Sequence, residues 1–352
     1  MKIGVRVVEL DVARAIAIAL ALGWHFYTPT GITFVDWLQE PGRLIGWAGV
    51  DLFFVLSGFL IGGLIFGEVM KSGSFNAKRF LIRRAFKIWP VLYLYIAILV
   101  VTGRYHPMEV VPQTLLHLQN YWTTPLNHLW SLAVEEHFYL IFALIAANTS
   151  LARGDVRRVP VALICVVVAA TIFRFIGVLA EISQTSLQIQ TQFRVDALAL
   201  GVLLAYLKMF NSDLFNRLAS RKVLMIIFVS VGVAALIVIR DSKPLIATIG
   251  YSITMLTSGC LLLLMHDASV FRNPNPAVKT VAWIGGYSYA LYVFQFVMYR
   301  ALEKGWVTLL KTEIPPLALL AMKYGGALLI AVVVTRLVER PMLHLRNRLF
   351  PA

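Results

Sequence analysis

The chain has 352 residues, 59% of them hydrophobic and only 14% charged, with a mean hydropathy of +0.77. Soluble globular domains carry nearer a quarter charged residues, so most of this surface has to face lipid and a soluble protein is excluded. The net charge of +14 does not point to nucleic acid, because the basic residues fall in alternate loops, as membrane topology requires, rather than on one polar face.

Apolar windows of about 20 residues predict an all-α polytopic membrane protein of about ten transmembrane helices in one bundle. In chain order the expected spans cover 10–27, 44–66, 88–103, 130–147, 159–180, 192–209, 223–239, 245–265, 283–301 and 316–336. The third is short and begins at Pro90, and 104–129 has room for an interfacial or re-entrant segment. No loop is long enough for a separate soluble domain and no internal repeat is visible, so 1–352 reads as one membrane domain. Cys165 and Cys260 both fall in spans and read as thiols rather than a disulfide. With ten spans both termini share a side. The loops on that side, counted with adjoining span ends, hold 21 of the 32 Lys and Arg, against nine in the opposite set. That excess places both termini in the cytoplasm.

The first span, LDVARAIAIALALGWHF, contains Arg14 and His25. Eleven helical steps are nearly three full turns, so the two share a face about 16 Å apart along the axis. Ionisable groups in a span are costly unless paired or hydrated, and mark a functional path by default. A secretory leader is the other reading, since Lys2 and Arg6 precede an apolar run containing Ala19-Leu20-Ala21. Asp11 and Arg14 shorten that apolar core and further spans follow, which favours a true span. Asp11 can pair with Arg14 one turn away.

Parity then assigns depth to the other polar residues. Asp51 lies in the outer third of the second span and Ser57 near mid-membrane. Glu135 and Glu136 lie just inside the outer end of the fourth, where adjacent residues diverge by about 100° so that one of them faces a site. Arg194 and Asp196 sit at the outer mouth of the sixth. With His25 and His137 these residues form an outer group able to hold and deprotonate a polar substrate, or a set of ion pairs that pin helices. On the inner side RFLIRRAFKIWP supplies Arg79, Arg83, Arg84 and Lys87, as topological anchors or, for Arg84 and Lys87, as a phosphate grip. No metal site is expected.

Several blocks in order resemble the membrane acyltransferase-3 family, bacterial integral-membrane O-acyltransferases. They are the Arg14–His25 spacing, GVDLFFVLSGFLI at 49–61, RRAFKIWP, SLAVEEHFYL, FRVDALALGVLLA, SYALYVFQ and VERPM. Lys87 stands where the family usually has arginine, His137 where it usually has glutamine, and Gln295 where many relatives have histidine. The chain resembles the stand-alone form, without the C-terminal esterase-like domain of some relatives. The resemblance implies transfer of an acyl group, most often acetyl, from acyl-CoA to a hydroxyl on a glycan or another hydroxylated acceptor. It implies no tightly bound cofactor, acetyl-CoA as co-substrate, no nucleic-acid partner, and residence in the bacterial cytoplasmic (inner) membrane.

On this reading His25 is the general base or the acyl carrier, with Arg14, Asp51 and Glu136 beside it in the chemistry. Arg83, Arg84, Lys87 and Ser57 attend the donor, and Glu135, Arg194, Asp196 and Tyr292 the acceptor. The rival class is a secondary transporter of a polar solute, which also places charges across a helix bundle. Two matching halves and paired broken helices, expected of many transporters, are not visible in the sequence.

Overall fold

The computed structural model of the protein describes residues 7–149 and 155–351. Lys2, Arg6 and Arg153, which contribute to the predicted inner charge, lie outside the described residues. Every regular element among the described residues is helical and none is a strand. In chain order the helices are α1 (Val8–Phe26), α2 (Thr33–Ile45), α3 (Gly49–Ser72), α4 (Ala77–Val101), α5 (Pro107–Leu115), α6 (Trp130–Asn148), α7 (Val159–Leu179) and α8 (Gln184–Ile189). There follow α9 (Val195–Phe210), α10 (Ser212–Ser220), α11 (Lys222–Ile239), the single turn α12 (Lys243–Leu245), α13 (Tyr251–Met265) and the turn α14 (Ser269–Arg272). The last five are α15 (Pro276–Gly285), α16 (Ser288–Phe294), α17 (Val297–Leu310), α18 (Pro316–Val334) and α19 (Arg340–Leu349).

Seven helical stretches among the described residues are long and apolar enough to cross a membrane, and eight if α9 and α10, bent by 112°, form one span. The two remaining expected spans are helical but depart from the simple pattern. Helix α1 carries Glu9, Asp11 and Arg14 in its first two turns. The segment expected at 283–301 is divided into α15, α16 and α17. Its first break falls at Gly285-Gly286, where helix propensity is poor. A Cβ on Gly285 would overlap the backbone carbonyl of Asp11. Helix α4 is longer than expected, because it continues through Pro90. The Tyr289 hydroxyl donates to the Ile88 carbonyl close to that proline at 2.6 Å. The amphipathic α2 lies where the sequence predicts only a loop.

The chain divides into two compact units. Unit one comprises Val50–Arg83 and the described part of Thr102–Ser269. Its centre is the crossing of α3 and α9. A Cβ on Gly201 would come within 2.7 Å of the Phe59 nitrogen, and one on Gly58 would overlap the Leu198 carbonyl. Without a hydrophobic force between helices in lipid, such close backbone approach is how spans gain packing energy. Helix α7 packs on α9, and α13 packs on both α9 and α11.

Unit two comprises Val7–Gly49, Arg84–Val101 and the residues from Val270 onward. Helix α1 is its axis and touches α2, α15, α16 and α18. Helix α2 folds back on α1 through Gly23 and Gly42. A Cβ on Gly23 would stand 2.7 Å from the Gly42 Cα. The turn between them is held by Asp36, which accepts from the Thr30 nitrogen and hydroxyl at 2.7 and 2.8 Å. Gln39 adds a reciprocal pair of bonds with the Thr28 backbone. These contacts fix the end of α1 that carries His25.

Candidate active site

His25 lies in the last turn of α1 and remains accessible. Its ring meets Phe296 edge-on, with centroids 5.4 Å apart. The neighbouring Phe26 is fully buried and packs edge-on against Phe296, Tyr299 and Tyr324. The imidazole thus rests against an aromatic cluster while the residue as a whole stays exposed. Arg300 places its guanidinium 5.1 Å from the Phe296 centroid. Lys323 donates to the Thr28 hydroxyl at 2.7 Å.

Arg14, eleven residues earlier, donates to Asp11 at 2.7 Å, and Asp11 is buried. The pair neutralises an arginine that would otherwise be costly inside the first span. Arg84 is half-buried in α4 of the same unit. Lys87 forms an ion pair with Glu339, which is buried and also accepts from the Thr335 hydroxyl at 3.3 Å. Glu339 closes a π-helical turn, Thr335–Glu339, between α18 and α19. It belongs to the VERPM block, yet sequence reasoning gave it no role. Tyr292 is buried in α16, and the fully buried Gln295 donates to its carbonyl at 3.1 Å.

In unit one, Asp51, Arg194 and Asp196 do come together, and Arg174 joins them. Arg194 donates to Asp51 at 2.6 Å, and the Thr254 hydroxyl donates to the other Asp51 oxygen at 2.7 Å. Arg174 pairs with Asp196 at 2.7 Å and donates to the Phe193 carbonyl and the Ser252 hydroxyl at 2.6 and 2.8 Å. The Arg194 guanidinium lies 3.7 Å from the centroid of Tyr251. All four charged residues are at most 1% exposed. Two arginines against two aspartates leave no net charge, which makes so much buried charge tolerable. Of the two readings open for this outer group, these residues take the geometry of helix-pinning ion pairs. An arginine embedded in a span, as Arg174 is, was itself the signal that a buried carboxylate had to face it.

The other polar residues of unit one form two further groups. Ser57 contacts the Tyr139 hydroxyl, which donates to Glu135 at 2.7 Å, making a chain from α3 to α6. Glu136 and His137 turn instead toward the segment before α6. His117 Nε2 lies 4.0 Å from Glu136, and His137 bonds both the His117 backbone and, at 2.7 Å, the Thr191 hydroxyl. Burial, reinforced by His137, pushes His117 down to about 4, so it is neutral at ordinary pH. Glu135 and Glu136 therefore serve different groups, as the 100° between neighbours requires. Arg83 is half-buried at the end of this unit's first segment. No cluster of metal-binding side chains occurs among the described residues.

A multi-pass membrane protein with an accessible imidazole at a helix end, and neutralised ions along its helices, is the class these features define. Residues 7–336 match the family described as an acyltransferase domain. The chain belongs to this acyltransferase-3 family. It is 28% identical over 333 residues to a Staphylococcus aureus (strain COL) protein named "Putative O-acetyltransferase". It is 26% identical over 312 residues to the O-acetyltransferase OatA of Staphylococcus aureus (strain NCTC 8325 / PS 47). Each match covers 82% of this chain but 50% and 49% of the relatives, so the chain spans about half the length of the curated relatives it matches. No solved structure matches it.

Proposed function

We propose that this protein is a membrane O-acyltransferase that moves an acyl group, acetyl by default, from cytoplasmic acyl-CoA to a hydroxyl of an extracytoplasmic glycan or glycolipid. The observation that carries the reading is the accessible imidazole of His25, at the end of an Arg14-containing helix inside the stretch that matches the family. In direct transfer, His25 takes the acceptor's hydroxyl proton as that oxygen attacks the thioester carbonyl. The tetrahedral adduct then expels the CoA thiolate, which recovers the proton from the imidazolium. In the covalent route, His25 nitrogen attacks first and releases CoA thiol, and the hydroxyl then attacks the acyl-imidazole and regenerates neutral His25. Arg84, with Arg83 and Lys87, favours the donor's phosphates, while the Ser57 hydroxyl is already committed to Tyr139. Both termini lie in the cytoplasm and the protein resides in the inner membrane.

The test is purified protein in detergent with labelled acetyl-CoA and a panel of glycans. His25→Ala lowers transfer at least about 100-fold, the scale of an acid–base group, while CoA binding stays within twofold. Arg84→Ala raises the KM for acetyl-CoA more than that for the acceptor. Wild-type turnover in the His25→Ala protein would remove the catalytic assignment.

A further inference from the structure

The helical stretch that begins with α18 runs on without interruption to Leu349, 34 residues in all. About 20 residues cross the hydrocarbon core, so α19 lies beyond it. Two contacts within unit two fix how it lies. Lys87 of α4 pairs with Glu339, the residue before α19, and the Phe86 ring meets that of Phe350, the residue after it, at 5.9 Å. Glu339 and Phe350 flank a ten-residue helix about 15 Å long, yet they reach adjacent residues of α4. A helix running alongside α4 would meet Lys87 at one end and a residue roughly ten positions away at the other. Helix α19 therefore lies across α4. Because α4 is long and apolar enough to cross the membrane, a helix laid across it runs along the membrane surface. The crossing falls where the charged first turns of α4 give way to the apolar run from Ile88, the level of the lipid headgroups.

Residues four apart on a helix share a face, and two adjacent rows of that spacing are exposed on α19. One is Arg340, His344 and Arg348, preceded by Arg336; the other is Pro341, Leu345 and Leu349, preceded by Leu337. Leu337 and Leu349 are 71% and 57% exposed, which sets a strongly apolar row beside a basic one. No Asp or Glu occurs from Arg340 to Leu349, and Glu339 is buried against Lys87. The basic row thus has no carboxylate on its own helix, and like charges one turn apart repel. A basic row beside a leucine row, on a helix in the membrane plane, matches an anionic lipid surface. The leucines enter the acyl boundary and the guanidinium groups meet phosphates. Topology needs basic residues in this tail, but it needs neither the leucine row nor a helix laid across its neighbour.

We infer that α19 is an interfacial helix that binds anionic phospholipid headgroups in the leaflet on the tail's side, cytoplasmic on the sidedness proposed above. The arginines of the basic row hold the phosphates while Leu337, Leu345 and Leu349 enter the lipid. The inference goes beyond the acyltransferase reading and holds whichever reaction the protein performs.

The test is native mass spectrometry of the full chain in detergent, titrated with phosphatidylglycerol, phosphatidylcholine and glycerol phosphate. Wild type retains phosphatidylglycerol in preference to phosphatidylcholine. An Arg340→Gln, Arg348→Gln double variant binds phosphatidylglycerol about tenfold more weakly, the scale of two surface arginines. Its binding of phosphatidylcholine and acetyl-CoA changes less than about twofold. Equal retention of both lipids by wild type, or an unchanged lipid preference in the double variant, overturns the inference. Loss of acetyl-CoA binding in that variant, or displacement of the lipid by glycerol phosphate at equal concentration, overturns it too. The first would give the row to the donor and the second to free phosphate. A second measurement does not depend on the double variant's folding. With Cys165→Ala and Cys260→Ala as background, an environment-sensitive dye on Leu345→Cys shifts to the blue in nanodiscs containing phosphatidylglycerol, whereas the dye on Asn347→Cys reports water. Aqueous spectra at both positions would lift α19 off the membrane and overturn the inference.

Discussion

Asp51 shows what a side chain's partners add to its position in a sequence. It lies in the GVDLFFVLSGFLI block, at a depth that suits a role beside His25. Both its oxygens are nevertheless taken up inside unit one, by Arg194 and Thr254. Removing one member of a buried ion pair strands the other, at a cost of about 3–5 kcal/mol, whereas removing both is far milder. Arg194→Ala should therefore lower the melting midpoint in detergent sharply, and Asp51→Ala combined with Arg194→Ala should recover much of the loss. If the double variant melts no higher than the worse single variant, the pair is not what holds this region. The polar neighbours of His25 follow a different rule. Its ring is braced by an aromatic contact with Phe296, and the residue stays accessible.

At the scale of helices, contacts within each unit join residues that span parity puts at one depth. Asp51 meets Arg194, Gly58 meets Leu198, and Phe66 meets Tyr206 and Phe210. Numbers rise together along α3 and α9, so the two helices run parallel, as the second and sixth of alternating spans must. In unit two, Lys87, three turns into α4, meets Glu339 after the end of α18, again one side of the membrane. The parallel pair depends on two glycines. Asp51 and Arg194 each lie seven residues, about two turns, before Gly58 and Gly201, so the glycine contact holds the ion pair in register. Gly58→Ala and Gly201→Ala should each reduce the yield of monodisperse protein and lower the melting midpoint by several degrees. Gly63→Ala should not, because its added Cβ meets nothing within 4 Å. Equal stability of all three variants would rule out the close crossing.

For the whole molecule, the testable property is sidedness. The excess of Lys and Arg in alternate loops predicts that the α3–α4 turn and the tail share the cytoplasmic side. In a background with Cys165→Ala and Cys260→Ala, an impermeant thiol reagent should reach Arg104→Cys and Asp241→Cys in intact cells. It should reach Ser74→Cys and Asn347→Cys only after permeabilisation. The reverse pattern would put the proposed donor groups on the outer face and remove cytoplasmic acyl-CoA as the donor.

The helical class, the positions of most spans and the Arg14–His25 helix were legible in the chain alone, because lipid permits one backbone solution and charge is costly inside it. Local chemistry also made the Asp11–Arg14 pair readable, since its partners are one turn apart. Which distant charges meet was not readable. Arg174 with Asp196, Asp51 with Arg194, and Lys87 with Glu339 are partners chosen by helix crossings, and a crossing is fixed by packing of small residues that leaves no periodic trace. The same holds for α2 and for the segment before α6, where short polar segments take their shape from what they fold against.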